Sequence, residues 1–254
     1  LDKVEADQYK LLSLSGQGRV DHGEFKLDIP SLKGEALFSD VKIHFKENLA
    51  PVLTRSVILT YHEGGLYFGL KEPSYEGLSL KGSEVSIRNL LNTHTNLKLK
   101  IRADTSFDSK LLDLLKAYSI VLPFVEKSAK ANVLFMADIG LKNRYHDFFA
   151  GVNFSEGDIW LKGIKFAIKK GNVQYKNGMI TLKNITLKDV YYEGDLNATI
   201  DLKKQKADFI FDAKSIQLGD EKEKFFVLKN KILPFTLNYK KNILKLRRSE
   251  YGKS

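Results

Sequence analysis

Apolar and polar residues alternate along most of this 254-residue chain. Leu97, Leu99, Ile101 and Ala103 are separated by Lys98, Lys100 and Arg102, and Leu196, Ala198, Ile200 and Leu202 by Asn197, Thr199 and Asp201. Successive side chains of a β-strand point to opposite faces, so strict alternation predicts strands with one apolar face and one wet face. The first such strand is expected from Gly18 to Ile29, with Phe25, Leu27 and Ile29 on one face and Glu24, Lys26 and Asp28 on the other. Pro30 should end it, because proline cannot donate to a ladder. Val41, Ile43 and Phe45 predict the next strand. Val57, Leu59 and Tyr61 predict another that turns at Glu63-Gly64-Gly65 and returns through Leu66 and Phe68. Val85 and Ile87 follow, then the Leu97–Ala103 strand.

Further on, alternation marks Ala131–Ile139, Phe148–Phe154, Ile159 with Leu161, and Ile164 with Phe166 and Ile168. The sharpest local expectation is the hairpin Gly171–Leu182. Its Asn177-Gly178 pair suits a two-residue type I′ turn, where both positions need positive φ. That turn sets Tyr175 opposite Ile180 and Val173 opposite Leu182, so turn chemistry and apolar pattern agree on one register. Ile232–Tyr239 and Ile243–Leu246 predict the last strands, and the total is about 14 to 17, more than an immunoglobulin-like sandwich uses. One stretch departs from period 2. Leu111, Leu112, Leu114, Leu115 and Tyr118 follow Asp108 at amphipathic-helix spacing, which predicts one short helix near 108–119, N-capped by Asp108 and stopped before Pro123. It divides a single elongated 1–254 segment into two strand-rich halves, 1–105 and 128–248.

Composition adds few constraints. Lys and Arg number 41 against 31 Asp and Glu, a net charge of +10. Such a balance suits nucleic acid, anionic lipid or an acidic polymer, or simply good solubility. The chain has no cysteine, which removes disulfides, thiolate metal sites and thiol nucleophiles. No apolar run reaches the roughly 20 residues of a membrane-spanning helix; the nearest, Ala117–Val125, is interrupted by Pro123. The chain begins at Leu1, and the expectation is a piece of a longer protein whose membrane anchor lies outside it.

Catalytic chemistry finds no foothold. His22, His44, His62, His94 and His146 show no metal-protease spacing, and the one adjacent pair, His146-Asp147, would point to opposite faces of a strand. No phosphate-binding loop, dinucleotide fingerprint or nucleophile elbow occurs. The expected catalytic residues, metal ligands and cofactors are none. Specific nucleic-acid recognition is not expected either: single-strand binders mix stacking aromatics into the basic groove, whereas here Lys98, Lys100 and Arg102 are segregated from the apolar face.

Several segments carry a family resemblance. They are the glycine-led alternating stretch Gly16–Pro30, the helix leading to Val121-Leu122-Pro123, the strand Gly171-Asn-Val173-Gln-Tyr175, and the strand Gly178-Met-Ile180-Thr-Leu182 running on to Asn184-Ile185. Together the chain resembles the AsmA-like superfamily, its YhdP-like branch in particular. The resemblance implies a mostly β protein: an elongated, strongly curved antiparallel sheet, taco-like, with an apolar concave groove. It implies a non-enzymatic periplasmic bridge, tethered to the inner membrane, along which phospholipid or other acyl-chain lipids move toward the outer membrane, alongside envelope protein partners. The candidate groove lining is Phe25, Leu27, Ile29, Leu97, Leu99, Ile101, Ile159, Leu161, Val173, Tyr175, Ile180, Leu182, Leu196, Ala198 and Ile200. The competing expectation is a non-catalytic β-sandwich that binds an anionic glycan or protein, in which the apolar faces of two sheets pack on each other.

Overall fold

The computed structural model describes residues 3–44, 49–106, 125–126, 130–143, 145–161, 164–219, 224–238 and 243–246. Strand dominates these residues, and they contain no helix. The helix expected near 108–119 lies outside them. The registered strand pairs are all antiparallel. The chain divides into two compact units, Leu1–Asp104 with Leu134–Phe148, and Thr105–Val133 with Phe149–Ser254.

The first unit opens with two long strands, β1 (Lys3–Asp21) and β2 (Glu24–His44), joined at His22-Gly23. Both turn residues have positive φ, 50° and 85°. The single strand expected over Gly18–Ile29 is therefore two arms of a hairpin, with Val20 opposite Phe25 and Gly18 opposite Leu27. Pro30 does not end the strand. It falls where β1 and β2 lose register, between the pairs Ser15↔Lys33 and Gln17↔Asp28. There the Ser31 hydroxyl accepts from the Gln17 amide at 2.7 Å and donates to the Asp28 carbonyl at 2.7 Å. A side chain replaces the ladder bonds that a proline amide cannot make. Val41 and Ile43, expected in a strand of their own, belong to the same β2.

The unit continues through β3 (Val52–His62), β4 (Gly65–Lys71), the short β5 (Ser74–Tyr75) and β6 (Leu78–Ser79), β7 (Glu84–Arg88) and β8 (Asn96–Ser106). β2 pairs β3, β3 pairs β4, β4 pairs β7 and β7 pairs β8, while β5 lies beside the start of β3. The expected β3–β4 hairpin forms; its two adjacent glycines leave the register open in the sequence, and the structure turns at Glu63-Gly64, both with positive φ, with Tyr61 opposite Leu66 and Leu59 opposite Phe68.

After the two-residue β9 (Val125–Glu126) come β10 (Lys130–Gly140) and β11 (His146–Leu161), each of which contributes residues to both units. β11 merges two strands expected separately at 148–154 and 159–161. The second unit is then a run of neighbours: β12 (Ile164–Lys176), β13 (Met179–Lys188), β14 (Tyr192–Asp201), β15 (Lys206–Gly219), β16 (Lys224–Asn238) and β17 (Ile243–Leu246). Each pairs the next. Among the described residues of each unit there is one sheet and no second sheet facing it, so the two-sheet packing that defines a sandwich is not the architecture found.

Candidate functional site

The second unit holds the most ordered arrangement of apolar side chains. At the β12–β13 turn, Asn177 and Gly178 have φ of 53° and 83°, and the register is Tyr175↔Ile180 and Val173↔Leu182. Directly opposed residues share a face, so the register can be followed from strand to strand. One row runs Ala150, Tyr175, Ile180, Ile200, Ala207 from β11 to β15. The next runs Val152, Val173, Leu182, Ala198, Phe209, Phe235 through β16. A third includes Ile185, Leu196, Phe211 and Leu233. No charged residue interrupts these three rows.

Side chains from these rows pack into one cluster around Ile168, Ile180, Ile185, Leu187, Ile200 and Ala207, flanked by Val173, Tyr175, Leu196, Phe209 and Phe211. Ile185 is 1% exposed and Ile180 3%. Glycines permit the closest approaches. A Cβ on Gly171 would lie 2.2 Å from the Ile185 Cδ1, and one on Gly194 would lie 2.4 Å from the Asp212 carbonyl and 2.7 Å from the Phe211 ring. At Asn184 the backbone turns left-handed, φ 51°, where the β13–β14 register shifts between Leu182 and Ile185. The Asn184 amide donates to the Asn197 Oδ1 at 2.9 Å. This bulge moves Ile185 onto the apolar side, out of strict alternation with Leu182.

The opposite face of the same strands is polar and internally bonded. Thr186 Oγ1 donates to Asp195 Oδ1 at 2.7 Å, and Lys214 Nζ lies 3.5 Å from Asp195 Oδ2. Thr236 Oγ1 donates to Asp208 Oδ1 at 2.6 Å, and Lys206 Nζ lies 3.1 Å from Asp208 Oδ2. An open recess of about 480 Å³ lies here, lined by Lys170, Asn184, Thr186, Asp195, Asn197, Asp212 and Lys214.

The first unit repeats the device with less closure. Leu11, Ala36, Leu59, Phe68, Val85 and Leu99 form a row from β1 to β8, and Leu14, Gly34, Tyr61, Leu66, Ile87 and Leu97 form the next. Lys98 and Lys100 stand on the opposite face, facing Ser86 and Glu84 across β7. Lys100 donates to Glu84 at 2.6 Å, and this bond, with the nearby positive charges of Lys100 and Arg102, holds the Glu84 carboxyl below its ordinary value despite a small opposing desolvation.

Of the candidate lining residues, Val173, Tyr175, Ile180, Leu182, Leu196, Ala198 and Ile200 fall in the single cluster of the second unit. Leu97, Leu99 and Ile101 sit on one strand of the first unit, and Leu97 is buried. Phe25, Leu27 and Ile29 do not join them: they lie on the outer part of the β1–β2 ribbon, exposed at 69%, 42% and 42%. Ile159 and Leu161 pair with Phe166 and Ile164 through the backbone, and their side chains lie outside the description. Alternation alone missed Ile185, Phe209 and Phe211. A bulge hid Ile185 from the period. In β15, Ile210 stands between Phe209 and Phe211, so three consecutive apolar residues give no period-2 signal there.

Among the described residues, no group of three His, Cys, Asp or Glu is placed to hold a metal ion, and no helix is long and apolar enough to cross a membrane. Among comparisons with known proteins, a family model described as YhdP protein matches residues 2–217. No curated protein and no solved structure matches the chain.

Proposed function

Because the chain belongs to the YhdP family, we propose that it is a segment of a lipid-transfer bridge. Phospholipid acyl chains travel along the apolar rows, and the polar face meets water. In this reading the sheet curls around those rows as a taco-like groove, with the 108–119 segment as a short helix beside it. The full-length protein is tethered to the inner membrane and crosses the periplasm toward the outer membrane, where envelope partners receive it. The function is transfer without chemistry, so it calls for no catalytic residue, metal or cofactor.

The observation that carries the proposal is the continuity of the rows. An acyl chain gains about 0.8 kcal/mol for each methylene removed from water, and it slides only where that gain is similar from one position to the next. In the row Val152, Val173, Leu182, Ala198, Phe209, the half-buried Val152, Val173 and Phe209 offer methyls and a ring face beside the buried Leu182 and Ala198, with no hydrogen-bonding group to arrest a tail. The opposed polar face, laced by Thr186–Asp195 and Thr236–Asp208, binds its own groups to one another.

Adjacent residues of β12 test this directly. Tyr175 lies on the apolar face and Gln174 on the polar one. A photo-crosslinking amino acid at position 175 is expected to capture co-purifying phospholipid, and the same group at position 174 is not. Equal capture at both positions, or none at either when the chain is expressed in a diderm envelope, would remove the proposal.

A further inference from the structure

On the polar face of the second unit, Lys170, Thr186, Asp195 and Asp212 face one another in turn across β12 to β15. Irregular pairing flanks this row. β12 shifts register on either side of Lys170, and β13 bulges at Asn184 between Leu182 and Ile185. β15 bulges at Lys214, which is passed over where Gly194 faces Ala213 and Glu193 faces Ser215. Bulges gather beside binding sites, where they aim side chains that regular pairing would not. Lys170, Asn184 and Lys214 all line the recess of about 480 Å³, a volume within the range of small-ligand sites.

The charges of the recess select its ligand. Asp195 is held by Thr186 Oγ1 at 2.7 Å and by Lys214 Nζ at 3.5 Å. Lys170 and Asp212, at the two ends of the row, are exposed. An anion entering here meets two directly opposed carboxylates, Asp195 and Asp212, and a cation meets the ammonium groups of Lys170 and Lys214. A neutral ligand with several hydroxyls meets neither repulsion: it donates to Asp212 and accepts from Lys170. An apolar shelf borders the same groups. Ile210 faces Asn197 and Ile232 faces Asp212 across their ladders, and the two are 51% and 56% exposed on this otherwise polar side. A pyranose ring has hydroxyls at its edge and C–H groups on its face, so it matches the charged row and the shelf together.

We propose that the recess binds an uncharged oligosaccharide, with ring hydroxyls bonded to Asp212 and Lys170 and a C–H face resting on Ile210 and Ile232. The site lies on the face opposite the apolar rows, so the inference does not rest on the transfer reading.

Isothermal titration calorimetry of the whole chain with maltotriose and with triacetylchitotriose tests it. At least one of them is expected to bind, and more tightly than inorganic triphosphate or calcium. Asp212→Asn and Lys170→Ala should each weaken saccharide binding about fivefold, since each loses a hydrogen bond to a charged group. The same two variants separate the ligand classes. For an anion Asp212→Asn would tighten binding, and for a cation Lys170→Ala would. Ile232→Ser, which removes no charge, should also weaken saccharide binding, whereas Gln174→Ala, on the same face outside the recess, should not. Lys170, Asp212 and Ile232 are exposed, so these variants should melt with wild type. Absence of binding by both saccharides overturns the inference. So does tighter binding of triphosphate or calcium, or saccharide binding that Asp212→Asn and Lys170→Ala leave unchanged. Loss of lipid capture at position 175 with saccharide binding intact would count against the transfer proposal alone.

Discussion

The β1–β2 ribbon of the first unit and the β12–β15 strands of the second carry the same alternating pattern and meet opposite fates. Phe25 is 69% exposed and Val20 73%, whereas Ile180 is 3% and Ile185 1% exposed. The interiors differ in kind as well. Among the described residues, the buried polar side chains, Thr54, Ser86 and Thr95, belong to the first unit, while the buried positions of the second, from Phe154 to Ala213, are apolar. Alternation therefore decides which residues share a face. It does not decide whether that face is covered.

Truncation should widen the contrast most. Ile185→Ala is expected to cost about 3 kcal/mol, through lost transfer energy plus a cavity, and Phe25→Ala less than about 1 kcal/mol at its exposed site. Urea midpoints followed by circular dichroism measure both, and similar losses would dissolve the distinction between the regions.

Glycines give a second comparison. Gly194→Ala should cost about 2 kcal/mol, because its Cβ would strike the backbone carbonyl of Asp212 at 2.4 Å. Gly23→Ala has no atom within 4 Å of the added methyl, so only the left-handed backbone opposes it, at about 1 kcal/mol. Thermal unfolding should rank the two variants in that order.

A third test concerns the polar interior of the first unit. Thr54 donates to the carbonyls of Lys71 and Ser56 at 2.8 and 3.0 Å. Thr54→Val keeps the shape and removes the hydroxyl, with an expected loss of about 1 kcal/mol. A stabilised variant would mean that this polar site costs more than it contributes.

The smallest effect is electrostatic. The Glu84 carboxyl is held below its ordinary value of 4.5 by Lys100. Its contribution to stability is therefore present above the ordinary value and is lost as pH falls through the lowered one. The side chain is 67% exposed, so solvent screening limits the contribution to about 0.5 kcal/mol. Glu84→Gln should lower stability slightly at neutral pH and match wild type in strong acid, as read from urea midpoints across that range.

How much of this was legible depended on turn chemistry. Asn177-Gly178 announces a two-residue turn, and the predicted register Tyr175↔Ile180 is the register found. His22-Gly23 makes the same kind of turn with the same signs of φ, but histidine is a weak turn signal. The alternation on either side of it then read as one strand from Gly18 to Ile29. Pro30 misled for a related reason: the rule that proline ends a strand assumes nothing else can complete the ladder, and Ser31 does. The apolar cluster was legible as far as period 2 held and was lost at the Asn184 bulge. Exposure of Phe25, Leu27 and Ile29 was not legible at all, because cover is a property of the neighbouring chain and not of the strand's own pattern.

The pairing order of the second unit also shapes how it reaches its structure. From β12 to β17 every strand bonds to the one before it, so each pairing closes only the loop of a hairpin, and loop closure is the entropic barrier that slows most β-sheets. The tight Asn177-Gly178 turn joins β12 and β13 by two residues, the shortest connection from β12 onward, which makes that hairpin a low-cost starting point. Assembly can then proceed outward, one strand at a time, each new strand meeting an edge already in place. Lengthening this turn with a flexible insert should slow refolding, whereas the same insert between β16 and β17, at the far end of the series, should leave the rate nearly unchanged.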